Sequence, residues 1–490
     1  MNAQVFRPSA IAAAAALWVA GVAVADEYDP PADYYGTVTG DPAVLKDQLH
    51  LIISDNYWTS RTGPGGVFQP DGSGHLVRSY DSLRQALPVV DRDPSNPDNV
   101  ILAYNGASVQ GAWSSGGTIW NREHRWPSSW GLGSSGPDYS DMHQLTPCNP
   151  SINSARGNMP FGTVSSSGGY GASGGYWYPG DNDRPDPDLG DDTGDCGRVL
   201  FYMAVRYDGA EGSTMDLEVR NGLPGQVGAV YYGGDLASAL KWHYRDPPST
   251  RERRRNHLIF SNTANPLYYQ GNRNPFVDRP EYVWALFGDG AGDSRIYVGD
   301  VPPADGASET VVDLGRVAVA AAVPAPRPVV LRKGGADPTY FQARLAGPAV
   351  CSLGDGRHSF LPGPGERILE AGLAPDVTAS AGLKTATITI DNLELTADGP
   401  GTGALDGDDR IVVQLAVCDA FVLDVDDDCD VDQDDLAAML ACLSGPSQPL
   451  AGGCSIYDLD SDGDVDQSDF GRFQPCLTGQ GVVPDPGCQE

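Results

Sequence analysis

The sequence predicts three folded parts in series: an α+β domain, an all-β sandwich-like domain, and a small acidic tail built from a duplicated, partly helical unit. Three observations carry this. Residues 26–300 hold eight of the nine tryptophans and mix helical with strand-like spacing. Residues 301–418 are short runs rich in Val, Ala, Leu and Thr, parted by Gly, Pro and Asp. Residues 419–490 carry 17 acidic residues against a single basic one, Arg472, and six of the nine cysteines lie between Cys418 and Cys488. A chain of 490 residues fits about three domains at roughly 150 residues each. With 61 Gly and 39 Pro it is too rich in turns for a helical bundle. The net charge of −33 excludes electrostatic capture of nucleic acid or acidic membrane by the molecule as a whole, and leaves a local basic groove open. Beyond the N-terminus no stretch approaches the ~20 apolar residues of a membrane span.

In chain order, residues 1–25 read as an export signal: Arg7, the apolar run Ala10–Val24, and Ala23-Val24-Ala25 before Asp26. Export permits disulfides, and an odd nine cysteines leaves at least one outside intrachain pairs. Leu45, Leu49, Ile52 and Ile53 recur at helical spacing within Ala43–Ser54. Val100–Tyr104 reads as a buried strand, and Val199–Val205 and Leu236–Tyr244 as helices. This mixture is the α+β domain. Runs such as Ala386–Ile390 and Ile411–Leu415 read as sandwich strands. By charge, residues 26–300 hold 21 basic and 34 acidic residues, net −13, and the tail supplies −16.

The densest chemistry lies in Trp120-Asn121-Arg122-Glu123-His124-Arg125-Trp126-Pro127. Neighbouring residues of a strand point to opposite sides, so Glu123 and His124 can serve two partners, a metal and a water. Downstream come Asp141–Pro147 and Ser151–Phe161, where Asn153 and Arg156 share a face if helical. A Glu-His pair alone is most often a hydrogen-bonded structural pair. A zinc site from His124, His143 and Cys148 lacks tight spacing and a fourth ligand. The run Arg251, Arg253, Arg254, Arg255 reads as a solvated helix face or as a steering patch for nucleic acid.

From about Tyr34 to Phe287 the chain resembles the bacterial endonuclease I family, exported non-specific nucleases with a ββα-metal (His-Me) finger. The matching blocks are Asp91–Leu102, Asn121–Pro127, Asp141–Pro147, Phe201–Tyr207, Leu240–His243 and Gln270–Asp278. The resemblance implies His124 as general base, and Glu123 and Asn153 as protein ligands of one Mg²⁺-type ion. It implies cleavage of DNA phosphodiesters, with RNA open as a second substrate. Arg156 joins His124 as a catalytic candidate, with a structural role open. His143, Asn158 and Arg122 are supporting residues. A leaving-group arginine is left among Arg122, Arg125 and Arg198. Cys148 departs from the family pattern, and Cys196 is a candidate disulfide partner.

The tail repeats itself at an offset of 34 residues. Asp424, Asp426, Asp428, Asp430, Asp432 and Asp435 align with Asp458, Asp460, Asp462, Asp464, Asp466 and Asp469. These are positions 1, 3, 5, 7, 9 and 12 of a Ca²⁺-wrapping loop, position 7 through its carbonyl. Gly463 stands at the sharp turn, where the first loop has Cys429 and therefore a poorer expected geometry. The pair resembles type I dockerin repeats, which implies docking to a cohesin-like or cell-surface partner. Together these readings describe an exported metal-dependent endonuclease with a sandwich and a calcium-binding tail, organised as 1–25, 26–300, 301–418 and 419–490. The alternative is a catalytically silent extracellular adhesion or scaffold protein held by the calcium repeats.

Overall fold

The structure is a computed structural model. It describes residues 27–490 apart from 55–77, 115, 135, 164–168, 181–191, 211–213, 289–291, 304–305, 396–406, 420, 427, 481, 483, 486 and 489–490. The expected export signal, 1–25, lies outside the described residues.

Helix α1 (Pro42–Ser54) buries Leu45, Leu49, Ile52 and Ile53 along one stripe. It is followed by α2 (Leu83–Val90) and the hairpin β1 (Asn99–Ile101) and β2 (Ser108–Gln110). The strand expected to reach Tyr104 stops at Ile101, because Tyr104 turns into the left-handed region at φ 68°. Next come β3 (Asn121–His124) and β4 (Leu145–Cys148), antiparallel, with Glu123 opposite Thr146 and His124 opposite Leu145. Helix α3 (Pro150–Arg156) follows at once. It starts where the Asn149 side chain accepts from the amides of Ser151 and Ile152, with Pro150 in the first turn, and it ends at Gly157, φ 54°.

The centre of the domain is α4 (Asp192–Arg206), buried almost all round. The sequence marks only its second half as helix, because Gly194 and Gly197 weaken the pattern. Both are needed for packing. A Cβ on Gly194 would come 2.3 Å from the Asp246 carbonyl, and one on Gly197 would come 3.0 Å from that of Ala239. The glycines thus let α5 (Leu236–Arg245) pack close against α4. Helix α6 (Thr250–Phe260) holds the arginine run. Its guanidiniums are internal ties, neither a solvated face nor a steering patch. Arg255 pairs with Asp91 at 2.7 Å and donates to the Met142 and Leu145 carbonyls, Arg254 donates to the Arg92 carbonyl, and Arg253 pairs with Asp29.

The sandwich begins at β5 (Arg295–Val298), ahead of residue 301. It continues through β6 (Glu309–Ala318), β7 (Arg327–Gly334), β8 (Thr339–Ala346), β9 (Ala349–Cys351), β10 (Gly356–Phe360), β11 (Gly365–Leu373), β12 (Gly382–Asn392) and β13 (Asp409–Cys418). One sheet runs β5-β7-β11-β9 and the other β6-β13-β12-β8-β10. All pairings are antiparallel except β6 with β13, which is parallel. Inner residues such as Leu331, Phe341, Ile388 and Val413 alternate with polar outer ones and form a core of their own. The sandwich docks on the end of α5. The Tyr340 hydroxyl donates to the His243 carbonyl, Ser359 donates to the Tyr244 carbonyl, and the Tyr340 ring lies 5.1 Å from each of those two rings.

The tail contains α7 (Gln433–Ala441) and α8 (Gln467–Phe473). Its small core repeats with the sequence offset: Leu423 with Tyr457, Val431 with Val465, Met439 with Phe473. Disulfides join Cys418 to Cys429, Cys442 to Cys454 and Cys476 to Cys488. Cys148, Cys196 and Cys351 are free thiols, so the candidate pairing of Cys148 with Cys196 is not formed. Both of those thiols are buried, and burial pushes each up into its neutral form. No helix among the described residues is long and apolar enough to cross a membrane.

Candidate active site and acidic loops

The β3–β4–α3 unit carries the Glu-His-Asn set. Glu123 is 2% exposed. One of its oxygens, Oε1, accepts from the Tyr104 hydroxyl at 2.7 Å and from Arg156 at 3.1 Å. The other makes no hydrogen bond among the described residues. Burial raises the Glu123 carboxyl, opposed by Arg156, Tyr104 and Arg125. Asn153 donates its amide to Asn121 Oδ1 at 2.8 Å and to the Arg122 carbonyl at 3.2 Å. That fixes the amide, and its carbonyl oxygen has no donor among the described residues. A carboxylate oxygen and an amide oxygen, each on an anchored group, form a hard donor set that suits a hard divalent cation.

His124 lies on the other face of β3. Its Nε2 donates to the Tyr139 carbonyl at 2.9 Å, which can only accept, so the lone pair is on Nδ1. Tyr80 stacks on the ring at 5.5 Å and 19°, and Tyr139 flanks it at 4.6 Å. Burial, helped by Arg156 and Arg122 and opposed by the bond to Tyr139, lowers the imidazole to about 4. The ring is therefore neutral at neutral pH, and Nδ1 can accept a proton.

The Arg156 guanidinium is engaged by the protein itself. It is 1% exposed, lies over the Phe161 ring, pairs with Glu123, and donates to the carbonyls of His124 at 2.6 Å and Arg125 at 2.7 Å. It ties α3 to β3. Asn158 is exposed, and its carbonyl accepts from the Trp130 indole at 3.0 Å. His143 is buried behind the hairpin against Tyr202, with Nε2 3.3 Å from the Asn272 carbonyl, and burial lowers it to about 4. Beside it Asp141 is enclosed by Tyr202, Tyr207, Gln270 and the His143 amide. Of the three leaving-group candidates, Arg198 is buried against Glu252, and Arg125 is buried between Asp192 and Asp195. Only Arg122 shares the face of His124. Sequence reading missed Tyr104, which donates its hydroxyl to Glu123 while its amide donates to Asp192 at 2.6 Å. A non-glycine residue at φ 68° is the structural signal for it, and sequence does not show that angle.

The two acidic loops share their main hydrogen bonds. Asp424 accepts from the amides of Asp428 and Cys429, and Asp458 from those of Asp462 and Gly463. Asp435 accepts from Val425 and Asp432, and Asp469 from Leu459 and Asp466. Oxygens of Asp424, Asp426 and Asp435 lie within 4.8 Å of one another, as do those of Asp458, Asp460 and Asp469. Cys429 takes φ 76° where Gly463 takes 92°, and it is joined to Cys418 by a disulfide. Among the described residues, all clusters of this kind lie in the tail, so the ligand atoms of His124, His143 and Cys148 are not gathered within that distance of one another.

The endonuclease I family profile matches residues 45–281. The chain is 39% identical over 261 residues to an extracellular ribonuclease of Bacillus amyloliquefaciens, covering 52% of this chain and 78% of that protein. It is 43% identical over 248 residues to an extracellular ribonuclease of Bacillus subtilis (strain 168), covering 50% and 74%. The matched segment contains β3, β4 and α3 with Glu123, His124 and Asn153, and on this evidence the chain belongs to the endonuclease I family of nucleases.

Proposed function

We propose that the protein is a secreted, sequence-nonspecific endonuclease whose β3–β4–α3 unit acts as a ββα-metal finger, with His124 as general base and a Mg²⁺-type ion on Glu123 and Asn153. Nucleases of this family generally use divalent metal ions. Its substrates are DNA and RNA, the second suggested by the relatives named extracellular ribonucleases. The observation that carries the reading is the pair of anchored groups on opposite faces of one strand. His124 is held by Nε2 with Nδ1 open, and Glu123 is held by Oε1 with its other oxygen open.

In this reading, Nδ1 of His124 takes the proton of the attacking water while the Tyr139 carbonyl steadies the imidazolium that results. Arg156 and Tyr104 orient Glu123 and oppose the rise that burial imposes on its carboxyl. When bound, the cation polarises the scissile phosphate and offsets charge on the departing oxygen. The intact site favours this over a silent adhesion or scaffold protein. For the tail, we propose two Ca²⁺-holding loops that form a dockerin-like docking element.

The test is digestion of plasmid and of RNA with Mg²⁺ and with EDTA. His124→Ala should lose about 10²–10⁴-fold in turnover while remaining folded. Glu123→Ala and Asn153→Ala should raise the Mg²⁺ needed for half-maximal rate. Wild-type turnover in His124→Ala would remove the assignment.

A further inference from the structure

Arg122 has more hydrogen-bonding capacity than the protein uses. Its side chain is 9% exposed, its guanidinium lies 3.5 Å over the Tyr80 ring, and it donates to the Tyr80 carbonyl. Its Nε has no partner among the described residues. The carboxylate nearest to it is Asp81, 3.8 Å away and 75% exposed, and Asp81 is shared with Arg84 at 3.0 Å. Arg84 also has an unpartnered buried Nε. The two guanidiniums lie 5.1 Å and 5.4 Å from the Trp113 ring. Two cations thus gather about a single solvent-screened anion, with Arg122 beside His124 on β3.

We propose that Arg122 and Arg84 form a subsite for the phosphate next to the one being cut, an inference that rests on the nuclease reading above. Arg122 and His124 are two residues apart on one face of β3, about 6.6 Å along a strand. That is comparable to the step between successive phosphates of one nucleic-acid strand. Stacking on Tyr80, which also stacks on His124, fixes the guanidinium at that step and keeps it off the reacting water. A phosphate oxygen pair is the acceptor a planar guanidinium fork matches best. The domain carries net −13, so substrate charge has to be met locally, and this is where cations with spare donors stand beside the base.

The test uses full-length His124→Ala with Mg²⁺, so that substrate binds without being cut. Binding of a fluorescein-labelled single-stranded oligonucleotide is followed by anisotropy over a salt series. Replacing both residues (Arg84→Gln with Arg122→Gln) should flatten the slope of log affinity against log salt by about 0.7, one phosphate contact on a single strand. Arg122→Lys, which keeps the charge, should retain most of the slope. If Arg122→Gln fails to fold, Arg84→Gln alone should still flatten it, since that side chain is 36% exposed. An unchanged slope, or no measurable binding by the His124→Ala parent, overturns the subsite. Failure of the nuclease reading shows separately, as absence of Mg²⁺-dependent cleavage by the wild type.

Discussion

Glu123 and the aspartates of the tail both present oxygens suited to a cation, yet the protein treats them differently. Around Glu123 it has supplied Arg156, Tyr104 and a fixed strand, so the carboxylate is oriented before any ion arrives. In the first acidic loop eight aspartates fall within twelve residues, with no Lys or Arg among them. Burial and the neighbouring Asp428, Asp435 and Asp424 push the Asp426 carboxyl up to about 6. One site is braced by an arginine and a tyrosine, whereas the first acidic loop crowds carboxylates together with no basic side chain of its own among them. Removing protein partners should therefore damage the first, and removing the ion should damage the second.

The largest expected effect is at Arg156. Arg156→Ala leaves Glu123 buried without its cation, and loss of one partner of a buried pair costs about 3–5 kcal/mol. Urea unfolding of the nuclease domain at neutral pH measures this, and a loss below 1 kcal/mol would contradict the picture. Next comes calcium. At 100 times its dissociation constant an ion that binds only the folded loop adds about 2.7 kcal/mol. Calorimetry of the oxidised full chain should show a tail transition that falls on chelation while the nuclease transition stays in place. Because Cys429 and Gly463 adopt the same turn, Asp424→Ala and Asp458→Ala should weaken this response alike. A smaller effect is expected at Tyr104. Tyr104→Phe removes one bond to Glu123 and should raise the Mg²⁺ requirement about tenfold, the lower end for partners that orient a ligand. An unaltered metal titration would show that Arg156 orients Glu123 alone.

The last prediction concerns protons and is read as a slope per pH unit. Burial holds His143 at about 4 against 6.5 when unfolded. As pH falls through that window the unfolded chain takes the proton first, so stability present above pH 6.5 is lost toward pH 4. One such group contributes at most about 1.4 kcal/mol per pH unit. Urea midpoints between those limits should have a shallower pH slope in His143→Gln. A steeper or equal slope would place the titrating group elsewhere.

Legibility in the sequence followed the range of each interaction. Glu123 and His124 are adjacent, Asn153 lies on the helix that follows the paired strand, and the tail loops repeat at a fixed offset, so local spacing is enough to find them. Tyr104 reaches Glu123 from the left-handed turn beyond β1, which no residue type announces. The arginines of α6 look like a surface charge run until Asp91, Asp29 and the Arg92 carbonyl close on them from distant segments. The first half of α4 was hidden because its glycines, unfavourable for a helix in isolation, are required by close packing against α5.

The link between Cys418 and Cys429 has a mechanical consequence. Cys418 ends β13, and Cys429 is the turn residue of the first acidic loop. If the tail is tethered and the nuclease is dragged by flow, tension entering through the repeats crosses the sulfur–sulfur bond and bypasses the ten residues between the two cysteines. The first half of the first loop, Asp424–Asp428, thus carries little of the load. The pull then acts along β13 toward its C-terminal end, beside the parallel strand β6, whose N-terminal end faces the nuclease side of the chain. Parallel neighbours drawn from opposite ends are loaded in shear, so their ladder of bonds resists together instead of opening one rung at a time.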